Sequence, residues 1–203
     1  MPAYVAHRHA LPAHPRAGVQ LALPARTAVT PGLPFVTCSP DLDESPLPDE
    51  APEATSVRLA REKACRGAQW HPEAWIIGSD QVAVCQGQSL GKPGTHAQAV
   101  QQLQATSGQE VLFHTAVCLW HAPSAREWAA LATVTVRYRT LAPDAIERYL
   151  AADQPYDCAG SARIEALGIT LVEWVRSDDP TALVGLPLIA LSRLLRAAGW
   201  ALP

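Results

Sequence analysis

Residues Thr95–Tyr138 read THAQAVQQLQATSGQEVLFHTAVCLWHAPSAREWAALATVTVRY, and the change of period inside this stretch sets the fold class. Thr95–Ser107 predicts a helix: Thr95 and Gln98 stand as a capping box, and Gly108 supplies the stop. Two extended runs follow, Val111–Trp120 and Ala130–Tyr138. In the second, Val134, Val136 and Tyr138 alternate with Thr133, Thr135 and Arg137, the period-two pattern of a strand with one buried face. A helix running into two adjacent strands points away from an all-parallel sheet.

The same contrast extends outward. Upstream, Pro52–Gln69 predicts a helix with Val57, Ala60 and Ala64 on one face and Arg58, Arg61 and Glu62 off it. Trp75–Ile77 is a compact apolar strand ending at Gly78, Gln81–Cys85 is extended, and Gln86-Gly87 turns toward Leu90. Leu33–Cys38 is a further short strand. Downstream come a helix at Pro143–Ala151 with Pro143 in its first turn, a strand at Ile169–Val175, and a helix at Leu186–Ala198 stopped by Gly199. Alternating helices with several adjacent strands predict an α/β protein built on a mixed β-sheet flanked by helices. Residues 1–32 stand apart: they are rich in proline and histidine, show no helical or strand period and read as an irregular N-terminal segment. The expected domain is 33–203.

Composition narrows the function classes. With 48% apolar and 17% charged residues, 203 residues are enough for a folded core. The net charge of -3 provides no field for a nucleic-acid polymer. The five cysteines are scattered and form no C-x-x-C pair, which argues against a disulfide framework or a structural zinc site. The N-terminus has no uninterrupted apolar run, and Leu183–Leu195 is interrupted by Gly185, Pro187, Ser192 and Arg193. The expectation is a cytoplasmic protein without a membrane segment.

Four clusters can carry chemistry. Asp41, Asp43 and Glu44 crowd carboxylates into one loop, which suits a hard cation such as Mg2+; alone, they read first as an acidic surface loop. Lys63 sits in a helix with Arg58, Arg61 and Arg66, a pattern that a solvated helix face also produces. Gly78-Ser79-Asp80-Gln81 places an acid where an apolar strand ends, the usual ligand position in α/β sheets, or else an ordinary turn. Leu90-Gly91-Lys92-Pro93-Gly94 puts an ammonium between glycines ahead of a helix, a plausible phosphate site that is not a Walker loop. Two further segments, DCAGSARIEALG at Asp157–Gly168 and DPTALVGLPL at Asp179–Leu188, contain small residues and turns. His114 and His121 lack metal-ligand spacing and read as structural.

In order along the chain, SPDLDESP, RLAREKA, IIGSDQV, LGKPGT, DCAGS and VGLPLIAL resemble the Maf family of nucleotide pyrophosphatases, over roughly Leu33–Gly199. The resemblance implies an elongated, two-lobed α/β fold with a central nucleotide cleft. It implies hydrolysis of a nucleoside triphosphate to monophosphate and pyrophosphate with a divalent metal, Mg2+, and a homodimer. By motif, Asp80 matches the proton acceptor and Glu44 a carboxylate that holds the metal, with Asp80 beside it. Lys63 and Lys92 match lysines facing the triphosphate. Gln81 and Glu165 occupy the positions that mark substrate choice, and glutamine with glutamate resembles the branch acting on 7-methyl-GTP or related modified nucleotides. The departure is at the N-terminus. The family's S-x-S-P-x-R-R turn has no counterpart in LALPARTAVTPGLPF (Leu21–Phe35), where Pro24–Arg26 is the nearest echo and Arg26 the candidate phosphate contact. Loss of that turn motivates a rival expectation, a nucleotide-binding protein with impaired catalysis.

Overall fold

The computed structural model describes residues 3–6 and 35–202. Arg26 and Leu33 lie outside the described residues. Among the described residues, seven strands form one sheet: β1 (Ala3–Ala6), β2 (Phe35–Cys38), β3 (Trp75–Cys85), β4 (Gln88–Leu90), β5 (Glu110–His121), β6 (Arg126–Tyr138) and β7 (Val172–Arg176), in the order β2-β1-β3-β5-β6-β7 with β4 paired to β3. The described residues also form four helices: α1 (Pro52–Trp70), α2 (His96–Thr106), α3 (Pro143–Asp153) and α4 (Leu188–Ala197). The α/β class is the one expected. Strand direction differs from the expected mixture, because every described pairing is antiparallel. For β3–β4 and β5–β6 the physical reason lies in the connections. A tight turn at Gln86-Gly87 reverses β3 into β4, and a short 3-10 turn at Ala122–Ser124 reverses β5 into β6. Such short links allow only antiparallel neighbours. Ala3–Ala6, within the segment expected to be irregular, pairs with both β2 and β3.

Local signals in the sequence translate directly into these elements. Thr95 caps α2 by accepting from the Gln98 N–H at 3.3 Å. Along β6, Val134, Val136 and Tyr138 are fully buried, while Thr133 is exposed and Thr135 and Arg137 are half-buried. The strand expected at Ile169–Val175 begins later, at Val172, because Leu167–Leu171 is wound into a 3-10 turn.

The decisive difference is β3. The strand end expected at Gly78 is absent; eleven residues run as one strand from Trp75 to Cys85. Asp80 is therefore in the middle of a strand and not at its end. Access comes from another feature. β1 covers one edge of β3 at Trp75–Ile77, and β4 covers the same edge at Ala83–Cys85. Among the described residues no strand covers 78–82 on that edge. The other edge is paired with β5 throughout.

Successive side chains of a strand point to opposite faces. Ile76, Gly78 and Asp80 face α1, where Ala60, Ala64 and Ala68 form the opposing surface. Trp75 and Ile77 pack against Leu191 and Leu195 of α4, and Ala83 joins the cluster built on Leu103, Phe113, Val134 and Leu150. The contact with α1 is close. A Cβ on Gly78 would sit 2.1 Å from the Ala60 carbonyl oxygen and 2.7 Å from the Ala64 nitrogen. Both are helix backbone atoms and cannot swing aside. Gly78→Ala is expected to push α1 off the sheet and lower stability by about 1–3 kcal/mol, read as a shift of the urea midpoint; an unchanged midpoint would mean that the helix yields freely.

Candidate active site

Lys63 is the centre of the site. It lies on the same stripe of α1 as Leu59, Ala60, Ala64 and Gly67, all buried, and is itself 1% exposed. A lysine in an apolar helix stripe costs free energy unless its charge is met. Two carboxylates meet it. Asp80 Oδ1 accepts from Lys63 Nζ at 2.6 Å, and Glu44 Oε1 lies at 2.5 Å. Lys92 Nζ stands 3.5 Å from the other oxygen of Glu44. Three segments far apart in the chain thus converge on one ammonium.

The electrostatics follow from burial and pairing. Asp80 is 6% exposed; loss of water raises its pKa, and the Lys63 charge offsets that only in part. Burial alone would also raise the pKa of Glu44, but the hydrogen bond and charge of Lys63, with Lys92 behind, hold it below the ordinary value. Lys63 itself is pushed up despite its burial, since both carboxylates favour the ammonium.

Glu44 is held by its loop. Arg58 donates to both oxygens of Glu50 at 2.7 and 2.8 Å and to the Ser45 carbonyl at 3.0 Å, which ties residues 45–50 to α1. The Arg58 guanidinium brings the Glu50 carboxyl down to about 2. Of the clustered acids, only Glu44 reaches the ammonium; Asp43 instead accepts from the Ser45 N–H. The Lys92 loop is held similarly. Gly94 N–H donates to the Tyr156 carbonyl, and Gly160 N–H and the Gln102 side chain donate to the Gly91 carbonyl.

A cavity of about 350 Å3 opens against this cluster. Glu44, Asp80, Gln81, Lys92, Asp157 and Glu165 form its polar wall; Phe113, Ala162, Ile164, Leu183 and Val184 form its apolar wall. A second cavity of about 240 Å3 shares Glu44, Asp80, Gln81, Lys92 and Ala159 with it. Asp80 and Gln81 point to opposite faces of β3, yet both line the cavities, because the strand edge is uncovered between them. Glu44, Lys92, Asp80, Gln81 and Glu165 therefore line one cavity, and Lys63 lies buried behind it, paired with Glu44 and Asp80. Arg26 lies outside the described residues. The apolar wall was not identified as functional from sequence; Leu183 and Val184 fall within VGLPL and its preceding turn, a segment that reads mainly as core. Burial pushes the Cys158 thiol in the wall up to about 11, so it stays neutral. His114 bonds to Thr133, and His121 stacks on Trp75 with ring centroids 4.3 Å apart, so both serve packing.

Among the described residues there is no cluster of three or more potential metal ligands, and no helix is long and apolar enough to cross a membrane. Residues 24–198 match the family described as Maf-like protein. The 7-methyl-GTP pyrophosphatase of Aromatoleum aromaticum is 54% identical over 171 residues, covering 84% of this chain and 88% of that protein. The protein of the same name from Xanthomonas oryzae pv. oryzae (strain MAFF 311018) is 57% identical over 171 residues, covering 84% and 89%. That from Burkholderia pseudomallei (strain K96243) is 52% identical over 173 residues, covering 84% and 80%.

Proposed function

The chain belongs to the Maf-like protein family, and from that membership we propose that it hydrolyses 7-methyl-GTP to the monophosphate and pyrophosphate. The observation that carries the reading is the buried Asp80–Lys63 pair, joined by the exposed Glu44, at the wall of a cavity whose far side is apolar. A water attacks the α-phosphorus. Its oxygen forms the new P–O bond, its proton passes to Asp80, and the bond to the α–β bridging oxygen breaks to release pyrophosphate. Lys63 and Lys92 stabilise the charge that grows on the phosphate oxygens, and Arg26 is proposed as a further phosphate contact. A carboxylate with a raised pKa is the better proton acceptor.

The base sits between Phe113, Ile164 and Leu183, with Gln81 and Glu165 at its polar edge. A carboxylate accepts from the N1–H and the exocyclic amine of guanine, and its charge suits the cationic ring created by methylation at N7.

A divalent cation fits the chemistry of this wall. Glu44, Asp80, Asp157 and Glu165 line the cavity against Lys92, so a polyphosphate entering it needs added positive charge. Two carboxylates are a sufficient protein share for Mg2+, which takes its other ligands from water and substrate phosphates. Glu44 and Asp80 are the residues that would hold it. Such a cation supplies charge neutralisation on the phosphates and a more acidic water.

The test is pyrophosphate release by the purified protein with Mg2+, across 7-methyl-GTP, GTP, dTTP, UTP and CTP. Release chiefly from 7-methyl-GTP is expected. Binding of 7-methyl-GTP without release, by folded protein, would replace the enzyme reading with that of a nucleotide-binding protein. An equal rate on all five would remove Gln81 and Glu165 from substrate choice.

A further inference from the structure

Gln81 does not hang freely in the cavity. Its side-chain Nε2 lies 2.9 Å from Thr115 Oγ1, 2.9 Å from the Ala182 carbonyl oxygen and 3.3 Å from the Leu183 carbonyl oxygen. A backbone carbonyl can only accept, so the amide must turn its NH2 toward residues 182 and 183. A flip would set carbonyl against carbonyl. The Thr115 hydroxyl completes the arrangement. It donates to the Ala182 carbonyl at 2.9 Å, which leaves its lone pairs to accept from Gln81. Thr115 is fully buried and stands directly opposite Gln81 in the β3–β5 register, on the same face of the sheet.

The turn that supplies the two carbonyls is itself anchored. Buried Asp179 accepts from Thr181 Oγ1 at 2.5 Å and from the Ala190 N–H at 2.9 Å, and Thr181 Oγ1 accepts from the Leu188 N–H at 2.7 Å. These bonds tie Pro180–Val184 to the first turn of α4. Ser79 Oγ, two residues before Gln81, reaches the Gly185 carbonyl at 2.8 Å.

We propose that Thr115 and the 180–184 turn are a positioning clamp that holds Gln81 with its amide oxygen, and not its NH2, toward the base. This rests on the reading of Gln81 as a determinant of substrate choice. With both of its hydrogens used, Gln81 offers the substrate an acceptor only. Together with the Glu165 carboxylate, the edge then consists of acceptors and selects a base that presents donors side by side, as the N1–H and exocyclic amine of guanine do. A base edge that places an acceptor there meets a repulsive lone pair. Thr115 acts on the substrate through Gln81 and does not touch it.

The experiment compares Thr115→Val, Thr115→Ser and Gln81→Leu in kcat and KM on 7-methyl-GTP and UTP. Thr115→Val keeps the shape and removes the hydroxyl. It is expected to raise KM for 7-methyl-GTP by about ten- to a hundredfold, the scale of loss from a misplaced contact, with the loss falling mainly in KM. The preference over UTP shrinks with it. Thr115→Ser restores both. In the wild-type protein, the Gln81 side-chain NH2 is expected to exchange slowly with solvent by 15N NMR, a readout that does not depend on a variant folding. Wild-type preference in Thr115→Val, or fast exchange of that NH2, overturns the clamp. If Gln81→Leu keeps the preference, the role of Gln81 itself fails and the inference falls with it. If Gln81→Leu loses the preference while Thr115→Val keeps it, the clamp alone falls.

Discussion

Asp80→Asn is expected to lower kcat on 7-methyl-GTP by about 10²–10⁴-fold, the usual contribution of a positioned general base, while the protein stays folded. Asparagine has the shape of aspartate and can still accept from Lys63 through its amide oxygen, so the α1–β3 contact persists. What it cannot do is take a proton from water. The pH profile provides an independent check. Burial raises the Asp80 pKa above its ordinary value of 3.8. A base works only when deprotonated, so kcat/KM of the wild-type protein should fall as pH drops through a value above 3.8, and this limb should vanish in the variant. Near-wild-type turnover by Asp80→Asn would remove Asp80 from its role. A limb that survives in the variant would assign that titration to another group, with Glu44 the first candidate. Glu44 differs in direction, since Lys63 and Lys92 keep its pKa low.

Lys63→Met is expected to damage both stability and rate. The side chain is buried, and its ammonium lies within 2.6 Å of Asp80 and 2.5 Å of Glu44. Methionine fills the volume but leaves two carboxylates facing each other without a cation. Removing one partner of a buried ion pair typically costs about 3–5 kcal/mol, read here as a fall in the urea midpoint. The rate is expected to fall by about 10²–10³-fold, the usual loss when one donor to the developing charge is removed, which is the role proposed for Lys63. Loss of the positive neighbour should also raise the Asp80 pKa further, so the acid limb of the rate profile moves to higher pH. At the alkaline end the sign reverses. The folded pKa of Lys63 is raised, so its stabilisation is complete below the ordinary lysine value of 10.5 and is lost as pH rises through the higher folded value. The variant should lack that alkaline loss. A wild-type midpoint together with an unmoved acid limb would show that Lys63 supports neither the fold nor Asp80.

How far the site could be read in the chain differs residue by residue. Lys63 was legible twice, as part of REKA and as an interruption of the α1 stripe: it lies three and four residues from Ala60 and Leu59, on the side that packs against the sheet. The arginine-rich character of α1 obscured this, since Arg58 and Arg61 lie off the stripe. Asp80 was legible as a motif residue but misplaced in the secondary structure. Glycine followed by serine and aspartate is the composition of a turn, yet β5 pairs with all eleven residues from Trp75 to Cys85, and this ladder outweighs the weak strand propensity of those three. The glycine has a different function from the one its composition suggests, which is to let the α1 backbone approach the sheet. Thr115 carried no signal at all. Its importance depends on the direction of one side-chain amide.

The sequence by itself determined what near neighbours control: the helical and strand periods, the cap at Thr95, the alternation along β6, and the set of acids and lysines whose ordered motifs identify the family. These follow from interactions within a few residues. Only the tertiary structure decided that Glu44, Lys63 and Asp80 share one buried ammonium, and that Asp80 and Gln81, on opposite faces of a continuous strand, open into the same cavities. Both depend on where β1 and β4 stop along the edge of β3, and on how closely α1 lies on Gly78. Strand register and helix approach are set by packing between segments distant in the chain, and no local period encodes them.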